Sequence, residues 1–235
     1  MIILFAPSES KKIGGDTAFD VKNLSFNSIQ RKKFIALYEK HLNAHIDLQS
    51  LFSTTKDHQI HIDQYYQKSA MKAIQRYEGV AYDYLNYASL LPKQQAFIDN
   101  YTLIFSNLYG IVKPNDFIPY YKLKQGSKLG DTTMHGYYKK QLEFLNTLDD
   151  EWLNLSANYY EKFFTPKKNH YDIKFLKEGK VVSHWAKAYR GKLLRECAIY
   201  EIDSIEKLLN HQCEAIKLID VQTGTKKSTL LYEVQ

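Results

Sequence analysis

Cysteine is scarce in this chain. Cys197 and Cys213 are the two in 235 residues, without CxxC spacing and without a neighbouring histidine pair. That excludes a disulfide framework and gives no zinc site. Long apolar runs are missing too, since no stretch approaches the ~20 residues a membrane span needs. The apolar run after Met1 is short and has no basic segment before it, unlike a secretory leader. The expected location is therefore cytoplasmic, with no membrane partner. Recognised catalytic signatures are absent as well. There is no Gly-x-Ser-x-Gly elbow, no dinucleotide fingerprint and no Walker loop, because Ser8, Glu9 and Lys11 follow Pro7 without the glycines. His58 and His61 lack a third ligand at suitable spacing and read as solvated histidines, so neither a metal nor a cofactor is expected.

What remains suits a globular protein. Hydrophobic residues make up 44% of the chain, enough to bury a sizeable core. No repeat or low-complexity linker divides it, so residues 1–235 are read as a single domain. Tyrosine is frequent, at 19. Its ring stacks and its hydroxyl hydrogen-bonds, which suits wet clefts; a compositional bias of the source genome is the plainer account. The net charge of +6 is uneven. Residues 120–195 hold 15 Lys or Arg against 8 Asp or Glu, and the rest is nearly neutral. Such a face suits nucleic acid, an acidic membrane surface or a phosphorylated small molecule. A solvated lysine-rich surface meets the charge pattern equally well.

The chain is organised around Tyr101 to Gly130. Leu103 to Phe105 is an apolar run of the kind that forms a buried strand. It stops at Asn107, Leu108, Tyr109 and Gly110; Pro114 and Pro119 then forbid a continuous helix. A basic strand-like stretch, Tyr120 to Gln125, follows, carrying Lys122 and Lys124, with Lys128 just beyond. Elaborate loops directly after buried strands are where α/β proteins place chemistry, although a purely structural crossover reads the same way.

Elsewhere Ile2 to Phe5 and Trp152 to Leu155 read as buried strands. A helix is expected from Ser28, with Ile35, Tyr38, Leu42 and Ile46 on its inner face. Arg31, Lys32 and Lys33 crowd its first turn and oppose the helix dipole, so either the start lies elsewhere or those charges meet partners. Lys68 to Arg76 reads as helical, with Met71 and Ile74 inward. Gly79 separates it from a helix beginning near Tyr82, and Pro92 opens another. Helix, glycine turn, helix is the form of a helix-hairpin-helix, whose turn offers N–H groups to a phosphate; a plain helical hairpin fits as well. His135 to Leu148 is an expected helix, Tyr171 to Ser183 a hairpin turning at Gly179, Glu201 to Leu209 a helix, and Ile216 to Tyr232 a terminal hairpin. Ser183 is a candidate N-cap for a helix starting at His184 or Trp185. On that helix Lys187 and Arg190 fall one turn apart beside Gly191. Two neighbouring cations repel unless an anion or a carboxylate lies between them.

Four segments, in order, carry a resemblance: LFAPSESKK at the start, RYEGVAYDYL, LYGIVKPNDFIPYYKLKQGSKL and VVSHWAKAYRGKLLR. Together they resemble the signatures of the YaaA (peroxide stress protein) family and run to about Arg195. Ser10 stands where that family often has Gly, and Lys12 where it often has Thr; the last forty residues match weakly. The resemblance implies an α/β fold, a DNA-binding helix-hairpin-helix and a role in limiting iron-linked oxidative damage.

The expected fold is mixed α/β, with helices packed around a central mixed sheet. Three strand ends carry polar residues: Ser8, Glu9 and Lys11; Asn107 and Tyr109; Ser156, Asn158 and Tyr159. If those strands are neighbours, the ends converge on one cleft, which Lys187 and Arg190 also line. The candidate ligand- or phosphate-binding residues are thus Ser8, Lys11, Asn107, Tyr109, Ser156, Tyr159, Lys187 and Arg190. The candidate nucleic-acid contacts are Gly79, Lys122, Lys124 and Lys128. Two functions follow: a protein binding duplex or bubble DNA without sequence preference, or an enzyme acting on a nucleotide-like or other anionic small molecule. No catalytic residue is assigned.

Overall fold

A computed structural model describes residues 1–235 except 27, 28, 149, 183, 184, 214 and 235. The expected Ser28 helix start, Ser183 N-cap and His184 therefore lie outside the described residues. Along the chain run β1 (Ile2–Phe5), β2 (Thr17–Ala18), α1 (Ile29–Asn43), α2 (Leu48–Phe52), α3 (His58–Tyr66), β3 (Ser69–Lys72), α4 (Ala73–Arg76), α5 (Val80–Leu85) and α6 (Pro92–Tyr101). Then come β4 (Thr102–Ser106), β5 (Gly110–Val112), β6 (Phe117–Pro119), β7 (Lys128–Leu129), β8 (Thr132–Thr133), α7 (Met134–Tyr138) and β9 (Trp152–Leu155). The chain ends with β10 (His170–Lys177), β11 (Lys180–Val181), α8 (Ala186–Ile199), α9 (Ile205–Asn210), β12 (Ile216–Gln222) and β13 (Lys227–Val234).

The fold is mixed α/β around a mixed sheet ordered β12-β13-β10-β9-β1-β4-β5, with β11 paired to β10. The five inner strands β13, β10, β9, β1 and β4 are parallel, whereas β12, β5 and β11 pair antiparallel. Parallel strands are covered on both faces and so read as continuous apolar runs. That is why Leu103 to Phe105, Ile3 to Phe5 and Trp152 to Leu155 stand out in the sequence, and all are buried. β1 lies between β4 and β9. The chain leaves β1 for β4 on one side and later returns to β9 on the other, so the loops after β1 and β9 diverge around a crevice.

Several expectations change. Lys68 to Arg76 is the strand β3 and one turn of helix, α4, rather than a continuous helix. β3 pairs with β2 and β6, and that ladder overrides the helical spacing of Met71 and Ile74. Tyr120 to Gln125 joins no ladder. Side chains and one backbone carbonyl hold its main chain instead: Tyr38 Oη on Lys122, Asn107 Nδ2 on Leu123 O, Leu51 O on Lys124 N, and Glu9 Oε1 on Gln125 N. His135 to Leu148 divides into α7 and a 3-10 segment, Lys140–Thr147, although Tyr138, Leu142 and Leu145 all face inward. The last helix begins at Ile205, capped by the Ser204 hydroxyl. Ile46 lies beyond α1 and is exposed.

The charge at the start of α1 does meet partners. Arg31 is buried and donates to the carbonyls of Ser25, Tyr109 and Ile111. It thereby ties α1 to the loop after β4. Among the described residues, no helix is long and apolar enough to cross a membrane, and no group of three His, Cys, Asp or Glu could hold a metal ion.

Candidate functional site

The three expected strand ends are neighbours at the carboxyl edge of the parallel core. Two polar clusters sit there. The first follows β1. Arg76, wholly buried, donates to the carbonyls of Lys12, Gly14, Ser69 and Ile118 and so shapes the loop after Pro7. Tyr77 forms a bridge with Lys11, and the Lys11 side chain turns inward. Its Nζ donates to Ser8 O at 3.0 Å and Glu9 O at 3.1 Å, and lies 4.2 Å from the Tyr121 ring centre. Only 7% of Lys11 is exposed. Among the described residues it has no ion pair, which is unusual for a buried lysine. Burial, helped by the charges of Lys122 and Arg76 and opposed by Glu9, lowers its pKa to about 7. Beneath it the Tyr77 and Tyr121 hydroxyls are 2.9 Å apart, and the Ser106 hydroxyl is 3.0 Å from Tyr121. Burial pushes the Tyr121 phenol up to about 12, so it is a proton donor at neutral pH.

The second cluster lies where β9 meets β10. Ser156 Oγ donates to Asn154 Oδ1 at 2.6 Å, and Asn154 Nδ2 donates to Asp172 Oδ1 at 2.9 Å. Asp172 also meets His170 Nε2 at 2.9 Å and the Lys227 ammonium. Burial opposes ionisation of Asp172, but hydrogen bonds from His170, Lys227 and Asn154 outweigh it and hold the carboxyl well below its usual range. Arg190 projects from α8 close enough to be attracted by Asp172, although burial lowers its pKa. Its Nε is buried without a hydrogen-bond partner among the described residues.

A chain of contacts joins the clusters. Gly79 has φ 109° and ψ 176°, a backbone region favouring glycine, and an added Cβ would lie 3.3 Å from Ser8 Oγ. Two residues on, Ala81 of α5 packs on Gly191 of α8, where a Cβ would collide with the Ala81 carbonyl. Gly191 therefore admits the backbone of α5, not a ligand beside Lys187 and Arg190. Arg195, further along α8, caps α5 through the carbonyls of Leu85 and Asn86.

The candidate residues divide by exposure. Lys187, Lys124 and Lys128 are exposed; Ser8, Lys122, Tyr159 and Arg190 are half-buried. Asn107 is buried and uses its amide to hold Leu123 and, through Oδ1, Tyr160. Tyr109 is fully buried against Phe19 and Tyr121. Lys122 is near enough to both Lys11 and His61 for its charge to oppose their protonation. Tyr77, Tyr121, Asp172, His170 and Lys227 were not singled out from sequence. A charged residue between Tyr171 and Ile173 in an apolar strand was the available signal for Asp172. An open groove of about 1370 Å³ lies elsewhere and includes Asp47, His58 and Lys124. The strand ends, where buried Lys11, Tyr121 and Asp172 have shifted proton affinities, are the stronger candidate for chemistry.

A family profile described as "Peroxide stress protein YaaA" matches residues 1–218. An uncharacterized protein of Campylobacter jejuni is 39% identical over 100% of this chain and 99% of its own length. A UPF0246 protein of Malacoplasma penetrans is 27% identical over 85% of this chain and 81% of its own. Another, from Fusobacterium nucleatum, is 25% identical over 93% of each. The extent of the profile match and the full-length similarity agree with the order of the four motifs: the chain belongs to the YaaA family of peroxide stress proteins.

Proposed function

We propose that this peroxide stress protein binds DNA through its phosphates, without reading bases, and so limits iron-linked oxidative damage. The damage-limiting role comes from the family resemblance. The observation that carries the binding is unneutralised charge. Of the 15 Lys and Arg in residues 120–195, Lys167 is the one with an ion pair among the described residues. Exposed Lys124, Lys128 and Lys187 are thus free to replace counterions along a phosphate backbone. Exposed Trp185 and half-buried Tyr159 supply rings for unpaired bases, so a bubble is favoured over intact duplex.

Fluorescence-anisotropy titration of duplex and bubble oligonucleotides at several salt concentrations tests this. With three to five phosphates engaged, log affinity falls against log salt with a slope of roughly −3 to −4. The double substitution Lys124→Gln, Lys128→Gln lowers that slope by about 2. Absence of binding at low salt, or binding indifferent to salt, removes the DNA reading. A second reading, a site for a small anionic molecule, draws support from Arg190, whose buried Nε has no partner.

A further inference from the structure

Lys11 is set apart from the exposed lysines by its depth. A buried lysine is commonly paired with a carboxylate; here two backbone carbonyls and the Tyr121 face are its neighbours. Lys122, half-buried and without an ion pair among the described residues, lies close enough to oppose its protonation. A desolvated amine beside a second cation is the arrangement that makes lysine a nucleophile at neutral pH. It stands at the end of β1, between β4 and β9, where open α/β sheets bind ligands.

We propose that Lys11 is an imine-forming residue, which takes the aldehyde or ketone carbon of a molecule whose negative charge is held by Lys122. The inference deepens the reading of the crevice as an anion site and rests on it. The Lys11 Nζ lone pair forms the C–N bond as the carbonyl π pair moves to oxygen. A proton passes from nitrogen to that oxygen, giving a carbinolamine. The C–O bond then breaks, and the oxygen leaves as water with a proton supplied by the Tyr121 hydroxyl and returned from the iminium nitrogen. No oxidant or reductant is consumed, and water reverses the sequence. Two sources present this chemistry: the deoxyribose aldehyde of an abasic site within a phosphodiester chain, and a small 2-oxo acid.

Borohydride reduction of the imine distinguishes them. Wild-type protein is incubated with an abasic-site oligonucleotide in one arm and glyoxylate in the other, then reduced and peptide-mapped by mass spectrometry. The expected result is a stable secondary amine on Lys11 in at least one arm, with a trapping rate that rises through pH 7. Lys122→Met lowers trapping about tenfold, the loss of roughly 1.4 kcal/mol of charge contact. Adduct with the oligonucleotide assigns the DNA source, and adduct with glyoxylate alone assigns the small molecule. If glyoxylate is trapped while anisotropy shows no DNA binding, the DNA function falls and the imine stands. An adduct absent from Lys11 in both arms, or spread over surface lysines, overturns the proposal. Mapping of the wild-type protein decides this even if Lys11→Met fails to fold.

Discussion

The two polar clusters at the strand ends differ by one carboxylate. In the second, Asp172 gathers His170, Lys227 and the attraction of Arg190, although Arg190 Nε has no hydrogen-bond partner among the described residues. In the first, Lys11 has carbonyls and ring faces and, among the described residues, no ion pair; the Glu9 carboxylate acts on it only from a distance. The first is buried beyond the end of β1, whereas the second runs back along β10 to His170 and to exposed Lys227, which open β10 and β13. A buried cation with a carboxylate is fixed in its charged form and braces the fold, whereas one without it can give up its proton. The contrast separates a structural polar cluster from one available for chemistry.

Asp172→Ala is expected to break the contrast most. It leaves Arg190 without its anion, Lys227 with Glu161 alone at 3.8 Å, and the Asn154 amide without this acceptor, at a cost of about 3 kcal/mol in urea unfolding. A change below about 1 kcal/mol would mean that water already satisfies this cluster. The pH dependence has a definite sign. The folded carboxyl pKa lies below the unfolded value of about 4, so its stabilisation is complete above that value and lost as pH falls further. Wild-type protein should therefore lose more stability than Asp172→Asn between about pH 5 and pH 2.

Lys11→Met is expected to act in the opposite direction and with a smaller effect. The folded pKa of about 7 lies below the ordinary lysine value of 10.5, so between those values the unfolded chain binds more protons. Wild-type stability gains a rising contribution from pH 7 upward, and the penalty of charging the buried amine is fully present below pH 7. Methionine removes the penalty, so the variant should be more stable at pH 6 by about 2 kcal/mol, with the difference shrinking towards pH 10. Loss of stability at pH 6 would show that Lys11 is a charged brace like Lys227, and the contrast would disappear.

The placement of these clusters was only partly legible in sequence. Apolar runs flanked by polar turns revealed β1, β4 and β9, because doubly covered parallel strands have no polar alternation. Ser8, Asn107 and Ser156 then followed as residues at strand ends. Tyr77 and Tyr121 did not, because tyrosines abound and only tertiary packing brings them under Lys11. Asp172 gains its partners across strand pairs β9–β10 and β10–β13, whose register the sequence does not state. Gly191 misled for a similar reason: a glycine beside two cations suits ligand access, but the space is filled by the Ala81 carbonyl. Local spacing identified faces; long-range packing decided what each face met.

Lys187 supplies the smallest expected change and the sharpest test of the rim. It is exposed on α8 and has no ion pair among the described residues, unlike the Asp172 group one strand layer away. Nothing in the fold depends on its charge, so Lys187→Met should shift unfolding free energy by no more than about 0.5 kcal/mol. Its effect should appear in binding. If Lys187 contacts one phosphate, the salt slope for duplex DNA falls by about 0.9, and the affinity loss is greatest at low salt. The same substitution should leave borohydride trapping of glyoxylate on Lys11 unchanged, because Lys122 faces that amine. Destabilisation comparable to Asp172→Ala would place Lys187 in the structural cluster. An unchanged salt slope with an unchanged fold would remove this end of α8 from the DNA-binding surface and leave the charge around Lys124 and Lys128 to carry it.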